Sequence, residues 1–489
     1  MLHRPMSTLL GLALAVTLAS CDNASDRAVE VAVIGESASP FAGGARLPLA
    51  AQLVRSATAE GLVGFDERGR VIPALADRWI VTDDGLSYIF RLRDGTWPDK
   101  TPLTGDTARA ALLQAIAGLR GTALGADLAA IDEVRAMAGR VVEIRLHQAQ
   151  PDFLQLLAQP ELGLLRKGRG AGPMRLTREK DAALLRPIAP EDRGLPQIEN
   201  WSSLSRKLRL VALPPKRAIE RFNAGEIDVV LGGRLADFPR LDASGVSRGA
   251  IRLDPVAGLF GLAAVNPQGF LAEPDRREAL AMAIDREALA NALNVGGWTA
   301  TTRIVNPGAG DDNGTVGERW PGQSLAERRS VAAARIAKWS ADRAAPRLRI
   351  ALPAGPGSDV LFARLADDFK AIGVEAVQVR ENAQADLRLV DTVARYVRTG
   401  WFLNQLSCAS NRVLCSPSAD RLAGLALLEP DPAKRADLFA QAEAQLTIAN
   451  TFIPFGVPVR WSLVSGQTTG FMPNPWNVHP LMPLAMLPK

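Results

Sequence analysis

Residues 207–231 read KLRLVALPPKRAIERFNAGEIDVVL. KLRLVALP (207–214) alternates apolar and polar residues as a strand does, and RAIERFNAG (217–225) reads as a helix stopped by Gly225. EIDVVL (226–231) reads as a second strand. A strand–helix–strand unit implies parallel pairing and a right-handed crossover. The same pattern returns, in different residues, past the midpoint. RLRIALP (347–353) is strand-like, SDVLFARLADDFKAIG (358–373) is an amphipathic helix ending in Gly373, and VEAVQV (374–379) is again a strand. Two such units, one in each half, predict two α/β lobes and not one large sheet.

The region before the first unit has a different texture. RWIVTDDGLSYIFRLRDG (78–95) holds two alternating runs around Asp84-Gly85, a hairpin signal, and TPLTGDTARAALLQAI (101–116) reads as a helix. After the second unit, PDPAKRADLFAQAEAQL (430–446) opens with Asp431 as a cap and Pro432 in the first turn. Its Leu438, Ala442 and Leu446 share one face.

At 489 residues the chain can fill two or three cores, and 47% hydrophobic with 22% charged residues is an ordinary globular composition. The 57 Lys and Arg against 52 Asp and Glu are scattered, which argues against a nucleic-acid partner. The N-terminus, MLHRPMSTLLGLALAVTLASC, has a basic start, an apolar run from Leu9 to Leu18, and small residues before Cys21. That is the pattern of an export signal. No later stretch reaches about 18 uninterrupted apolar residues. In an oxidising compartment Cys408 and Cys415 form an even pair, either as a local disulfide or as two buried thiols.

Catalytic and metal motifs are sparse. Beyond the export signal the histidines are His147 and His479, far apart and without a ligand-spaced neighbour, so no metal site and no cofactor are implied. GVSRG (245–249) matches Gly-x-Ser-x-Gly, but the residues after Ser247 read as extended where a nucleophile elbow requires a helix. No phosphate loop or dinucleotide fingerprint occurs. An enzyme is the weaker reading.

Several blocks resemble a known family. ALADRWIVTDDGLSYIFRLRDGTWPDKTPLT (74–104) is similar to the hallmark segment of family 5 solute-binding proteins, the oligopeptide- and dipeptide-binding components of ATP-binding-cassette (ABC) importers. EGLVGFDERGRV (60–71), GAGPMRL (170–176), FNAGEIDVV (222–230), DRREALAMAIDREAL (275–289) and CSPSADRLAGLALLEPDPAKRADLF (415–439) follow in the family's order. Leu18-Ala19-Ser20-Cys21 resembles a bacterial lipobox, which implies cleavage before Cys21 and its lipidation; a plain signal peptide is the alternative. Asp22 after the lipidated residue resembles an inner-membrane retention signal.

The resemblance implies a two-lobed periplasmic-binding-protein fold, class II-like, with an α+β subdomain inserted in the first lobe. The expected division is 1–20 signal peptide, 21–50 anchor and start of lobe one, and 51–167 insert. Lobe one continues over 168–256, lobe two covers 257–465, and 466–489 returns to lobe one. A peptide or other small solute would bind between the lobes, which close by a hinge. The expected partners are a membrane permease with its ATPase, and a membrane through the lipid; the expected state is a monomer.

In peptide-binding relatives the loop after a lobe-two strand commonly reads Ala-Asp-Tyr, and its aspartate meets the ligand's α-ammonium. Alignment through LRLVDT (387–392) and WFLNQL (401–406) puts Ala394-Arg395-Tyr396 on that motif. Arginine replaces the acid. If Arg395 faces the cleft, it suits a carboxylate, phosphate or sulfonate, helped by Arg398; otherwise it points to solvent or pairs with Asp391. Tyr396, Trp401, Asn266 and Glu60 complete the expected ligand contacts. A sensory module on the same fold, or a relative acting through protein contacts, are the competing functions.

Overall fold

The computed structural model describes residues 27–487; the export signal and Cys21 lie outside the described residues. Two large sheets carry the architecture. In the first, the strand order from one edge is Ile251–Leu253, Arg460–Val464, Val229–Arg234, Val29–Ile34, Leu208–Leu213, Ala182–Pro187 and Met174–Glu179. The strands Leu208–Leu213 and Val229–Arg234 are parallel as the sequence predicts, but they do not touch. Val29–Ile34 lies between them and pairs in parallel with both. Period-two alternation splits that central strand between two cores. Val31 and Val33 pack under the helix Leu49–Thr58, while Ala32 meets Ala218 and Ile219 of the helix Pro215–Asn223.

The second sheet runs Glu375–Arg380, Arg347–Leu352, Leu387–Val393, Gly258–Ala264 and Phe452–Gly456. Its first two strands are the second predicted unit, parallel and adjacent, joined through the helix Pro356–Lys370. A third, antiparallel sheet forms the insert, in the order Ala76–Val81, Ser87–Leu92, Val141–Leu146 and Ile131–Ala136. The hairpin turns at Asp84-Gly85, where Gly85 N–H donates to Thr82 O at 2.8 Å and Leu86 N–H to Asp84 Oδ1 at 3.0 Å. The helix Gly105–Gly118 is capped by Thr104 and lays Ala108, Ala111 and Leu112 on the buried sheet face with Phe90, Val142 and Ile144.

Two boundaries differ from the expected division. The helix Leu49–Thr58 packs on the first sheet, so residues 51–58 are part of lobe one and not of the insert. Arg460–Val464 hydrogen-bonds between Val229–Arg234 and Ile251–Leu253, so the chain has returned to lobe one before residue 465. In both cases the apolar pattern is plain, and the sheet that receives it is fixed by long-range pairing.

The chain therefore passes between the sheets at 254–257 and again at 457–459. Both passages are tied. The buried Arg460 guanidinium donates to Asp391 Oδ1 at 2.7 Å and to Asp391 O at 3.1 Å. Asp254 accepts from Asn474 N–H at 2.9 Å and lies 3.0 Å from His479 Nε2. Gly258 has φ +155°, and a Cβ there would collide with the carbonyl oxygen of Thr392.

Removing one partner of a buried ion pair strands the other charge. Arg460→Met should destabilise the protein by about 3 kcal/mol, read from the midpoint of urea unfolding. Adding Asp391→Leu should restore most of that loss. A single variant as stable as the parent contradicts a tied passage.

Candidate functional site

The loop 394–398 leaves the second sheet beside the passage into lobe two, where Ala394 N–H donates to Ala257 O at 2.8 Å. It leads into the helix Thr399–Gln405, whose first amide, at Thr399, donates to Asp311 Oδ1 at 2.7 Å. This loop and helix face the insert. Arg395 Nη2 lies 3.4 Å from Glu161 Oε1, Tyr396 O–H donates to Asp127 Oδ1 at 3.0 Å, and Asn404 Nδ2 donates to the same oxygen at 2.8 Å. Arg398 Nε pairs with Asp152 Oδ2. Four side chains of lobe two thus meet three acids of the insert across one seam.

Burial sets the electrostatics of the seam. The Asp127 carboxyl is pushed up from 3.8 to about 6 by desolvation, against the pull of the Asn404 and Tyr396 hydrogen bonds and the Arg395 charge. The Tyr396 hydroxyl is raised well above its ordinary value, first by burial and then by the Asp127 charge. Arg55, half-buried on the helix Leu49–Thr58, is lowered by desolvation while the charge of Glu161 holds it up. Arg412 still exposes part of its side chain, and its pKa is lowered first by desolvation and then by the positive charges of Arg46 and Arg395. Arginines from both lobes therefore feel one another here.

Hydrogen bonding across the seam is incomplete. Arg395 Nη1, Glu161 Oε2, Asp127 Oδ2 and Trp401 Nε1 are buried without a protein partner. Each such group costs about 1–3 kcal/mol unless water or a ligand satisfies it. A polar solute supplying both kinds of partner would recover that energy on binding.

The expected ligand residues separate into two groups. Arg395, Tyr396 and Arg398 come together on the seam. Arg395 neither points to solvent nor pairs with Asp391, because Arg460 already holds Asp391. Trp401 is 1% exposed and sits edge-on to Phe402 in the core joining the insert to lobe two. Asn266 is elsewhere. It follows the far end of Gly258–Ala264, about 20 Å along the strand from the seam, and donates to Asp386 Oδ1 at 2.8 Å. Glu60 is held by two guanidiniums, with Arg93 Nη2 at 3.1 Å and Arg193 on its other oxygen, an internal tie of insert to lobe one.

Cys408 and Cys415 are joined as a disulfide, closing the loop that carries Arg412. Ser247 is exposed, preceded by the helix Pro239–Ala243 and followed by a single 3-10 turn, which is not the geometry of a nucleophile elbow. His479 is buried against Asp254, and His147 is exposed near Asp132. Among the described residues no three metal-ligating side chains cluster, and no helix is long and apolar enough to cross a membrane.

Sequence reasoning missed Asp127, Asp152, Glu161 and Asn404. The one available signal was the arginine pair itself, since partly buried guanidiniums favour acids beside them. Nothing in the pattern says which of 52 carboxylates supply them.

A family model described as bacterial extracellular solute-binding proteins, family 5 Middle, matches residues 70–180 and 207–407. A probable di/tripeptide-binding protein 5 of Pseudomonas aeruginosa is 24% identical over 483 residues, covering 85% of this chain and 87% of that protein. The probable deoxycholate-binding periplasmic protein YgiS of Escherichia coli is 36% identical over 125 residues, 21% of this chain and 23% of that one. Among solved structures, Haemophilus influenzae OppA in complex with RPPGFSPFR superposes with a TM-score of 0.78 at 17% identity, covering 94% and 99% of the two chains. The Escherichia coli murein tripeptide-binding protein MppA gives the same TM-score at 19% identity, covering 94% and 98%.

The raised Asp127 carboxyl makes a signed prediction. A folded-state pKa above the unfolded value adds stability that is fully present below about pH 4 and lost as pH rises through about 6. The shift is worth up to about 3 kcal/mol. Asp127→Asn keeps an oxygen for Tyr396 and Asn404, so it should remove this decline. Urea unfolding at pH 4 and pH 7.5 should show the variant gaining on the parent at the higher pH. An unchanged difference between the two proteins contradicts the assignment.

Proposed function

Because the chain belongs to the family 5 bacterial extracellular solute-binding proteins, we propose that it is the substrate-binding component of an ABC importer. It works on the periplasmic side, anchored through a lipid on Cys21, as a monomer. A solute enters between the two lobes, the lobes close, and the closed form delivers it to a permease whose ATPase supplies the energy. Binding shifts an open–closed equilibrium, and the chain performs no chemistry on its cargo.

The ligand is a peptide-like or small anionic solute, and the anionic class is favoured by one observation: Arg395, on the seam, stands at the motif position where peptide-binding relatives carry an acid. Two unit charges about 4 Å apart interact by about 4 kcal/mol at an effective dielectric near 20. Turning an attraction into even half that repulsion weakens a free ammonium by several decades. Arg46, Arg55 and Arg412 add positive potential nearby. The name of the relative that mentions deoxycholate supports the same side, since deoxycholate is a carboxylate without an amine.

The test is a thermal-shift screen of protein unfolded and refolded to strip bound ligand, comparing free peptides, N-acetylated peptides, dicarboxylates and phosphorylated compounds, with Arg395→Asp alongside. A ligand at a hundred times its Kd stabilises by about 2.7 kcal/mol. Stabilisation by anions, lost in Arg395→Asp, is the expected result. Stabilisation by free peptides alone contradicts the charge assignment.

A further inference from the structure

We infer that Glu161 and Asp152 set the specificity of the cleft as internal competitors. They hold, at Arg395 and Arg398, the positions that two carboxylates of the solute take, so the preferred solute is a small dicarboxylate that displaces both. The inference rests on the importer reading above and adds to it a substrate class and two specificity-determining residues in the insert.

The geometry of the Arg395–Glu161 pair is the main ground. Two ion-pair networks in this protein use the full guanidinium fork. Arg303 gives Nη1 and Nη2 to Asp312 at 2.8 and 3.1 Å and Nη2 also to Glu443 at 2.9 Å. Arg349 gives Nε and Nη2 to the two oxygens of Asp386, each at 3.1 Å. The pair at Arg395 is a single contact of 3.4 Å, although the Glu161 side chain is only 5% exposed, less than Asp312 or Asp386. Arg395 Nη1 and Glu161 Oε2, which would complete a fork, are both buried and unpartnered. A guanidinium half-matched by one carboxylate can gain from a carboxylate that approaches in plane.

Displacement also has a destination for each acid. Arg55 faces the charge of Glu161 and makes no ion pair among the described residues, so it can receive the Glu161 carboxylate. Asp152 and Arg398 are each about a quarter exposed, so Asp152 can turn to water. The occupants of both arginines are carboxylates, and that chemistry selects carboxylate over phosphate for the ligand. Arg395 and Arg398 leave the same short loop, so one small molecule with two carboxylates can reach both.

The test uses ligand-stripped protein and the variants Glu161→Gln, Asp152→Asn and Arg395→Gln, with succinate, glutarate and inorganic phosphate as probes. Calorimetry gives Kd, and small-angle X-ray scattering of the probe-free protein gives the lobe opening. An internal competitor that occupies nine-tenths of the molecules weakens apparent affinity about tenfold. E161Q should therefore bind succinate or glutarate about tenfold tighter than the parent and should be more open without ligand. D152N, at a partly exposed position, should shift both readings in the same direction, and Arg395→Gln should lose dicarboxylate binding. Variants that bind dicarboxylates no tighter than the parent overturn the inference, as does phosphate bound in preference to both acids. Closure on another solute with no response to dicarboxylates overturns it while leaving the importer reading intact. Lobes that close on no solute remove both.

Discussion

A partly buried guanidinium in the seam between two bodies is stabilised by an anion beside it. Arg395 leaves the second sheet where the chain passes between lobes, and the insert closes over it. In an effective dielectric near 20, its charge and that of a partner about 4 Å away are worth about 4 kcal/mol. That one requirement organises the site. It sets Glu161 of the insert beside Arg395, keeps Asp127 near enough to feel that charge, and leaves Arg412 among the like charges of Arg46 and Arg395.

One apolar cluster spans both sheets, with Ala32 and Trp461 of the first and Leu262 and Ile350 of the second, and the chain joins them through passages a few residues long. Arg460 fixes one passage to Asp391, and Asp254 with His479 and Asn474 fixes the other. The insert is tied to lobe one by Glu60, held between Arg93 and Arg193. The insert also shares an apolar core with lobe two, through Trp401, Phe402 and Leu403. Closing the disulfide loop 408–415 limits the freedom of Arg412 beside it.

Most of the fold was legible in the sequence, because it depends on local patterns. The unit 347–379 forms as read, and the hairpin at Asp84-Gly85 and the cap at Asp431 sit where their residue types predict. Sheet order was not legible. The strand inserted between 208–213 and 229–234 comes from residues 29–34, nearly 200 positions away, and no period reveals such a neighbour. The site divides the same way. Arg395 and Tyr396 stand out by alignment on a motif, whereas Glu161, Asp152 and Asp127 are ordinary carboxylates until the insert folds against lobe two. Glu60 and Asn266 lie apart from this loop for the converse reason. Their local context looks right, and long-range partners, Arg93 and Arg193 in one case and Asp386 in the other, have already taken them.

The most direct test of the charge pair at the seam is a double-mutant cycle on Arg395→Gln and Glu161→Gln, followed by urea unfolding of the ligand-stripped protein. Contacting charged partners in one network couple by about 0.5–3 kcal/mol, while independent sites add to within about 0.5 kcal/mol. A favourable coupling above about 1 kcal/mol that shrinks little in 0.5 M salt is the result expected of a partly buried pair. Additive losses contradict it, and would mean that the two lobes meet without depending on this contact.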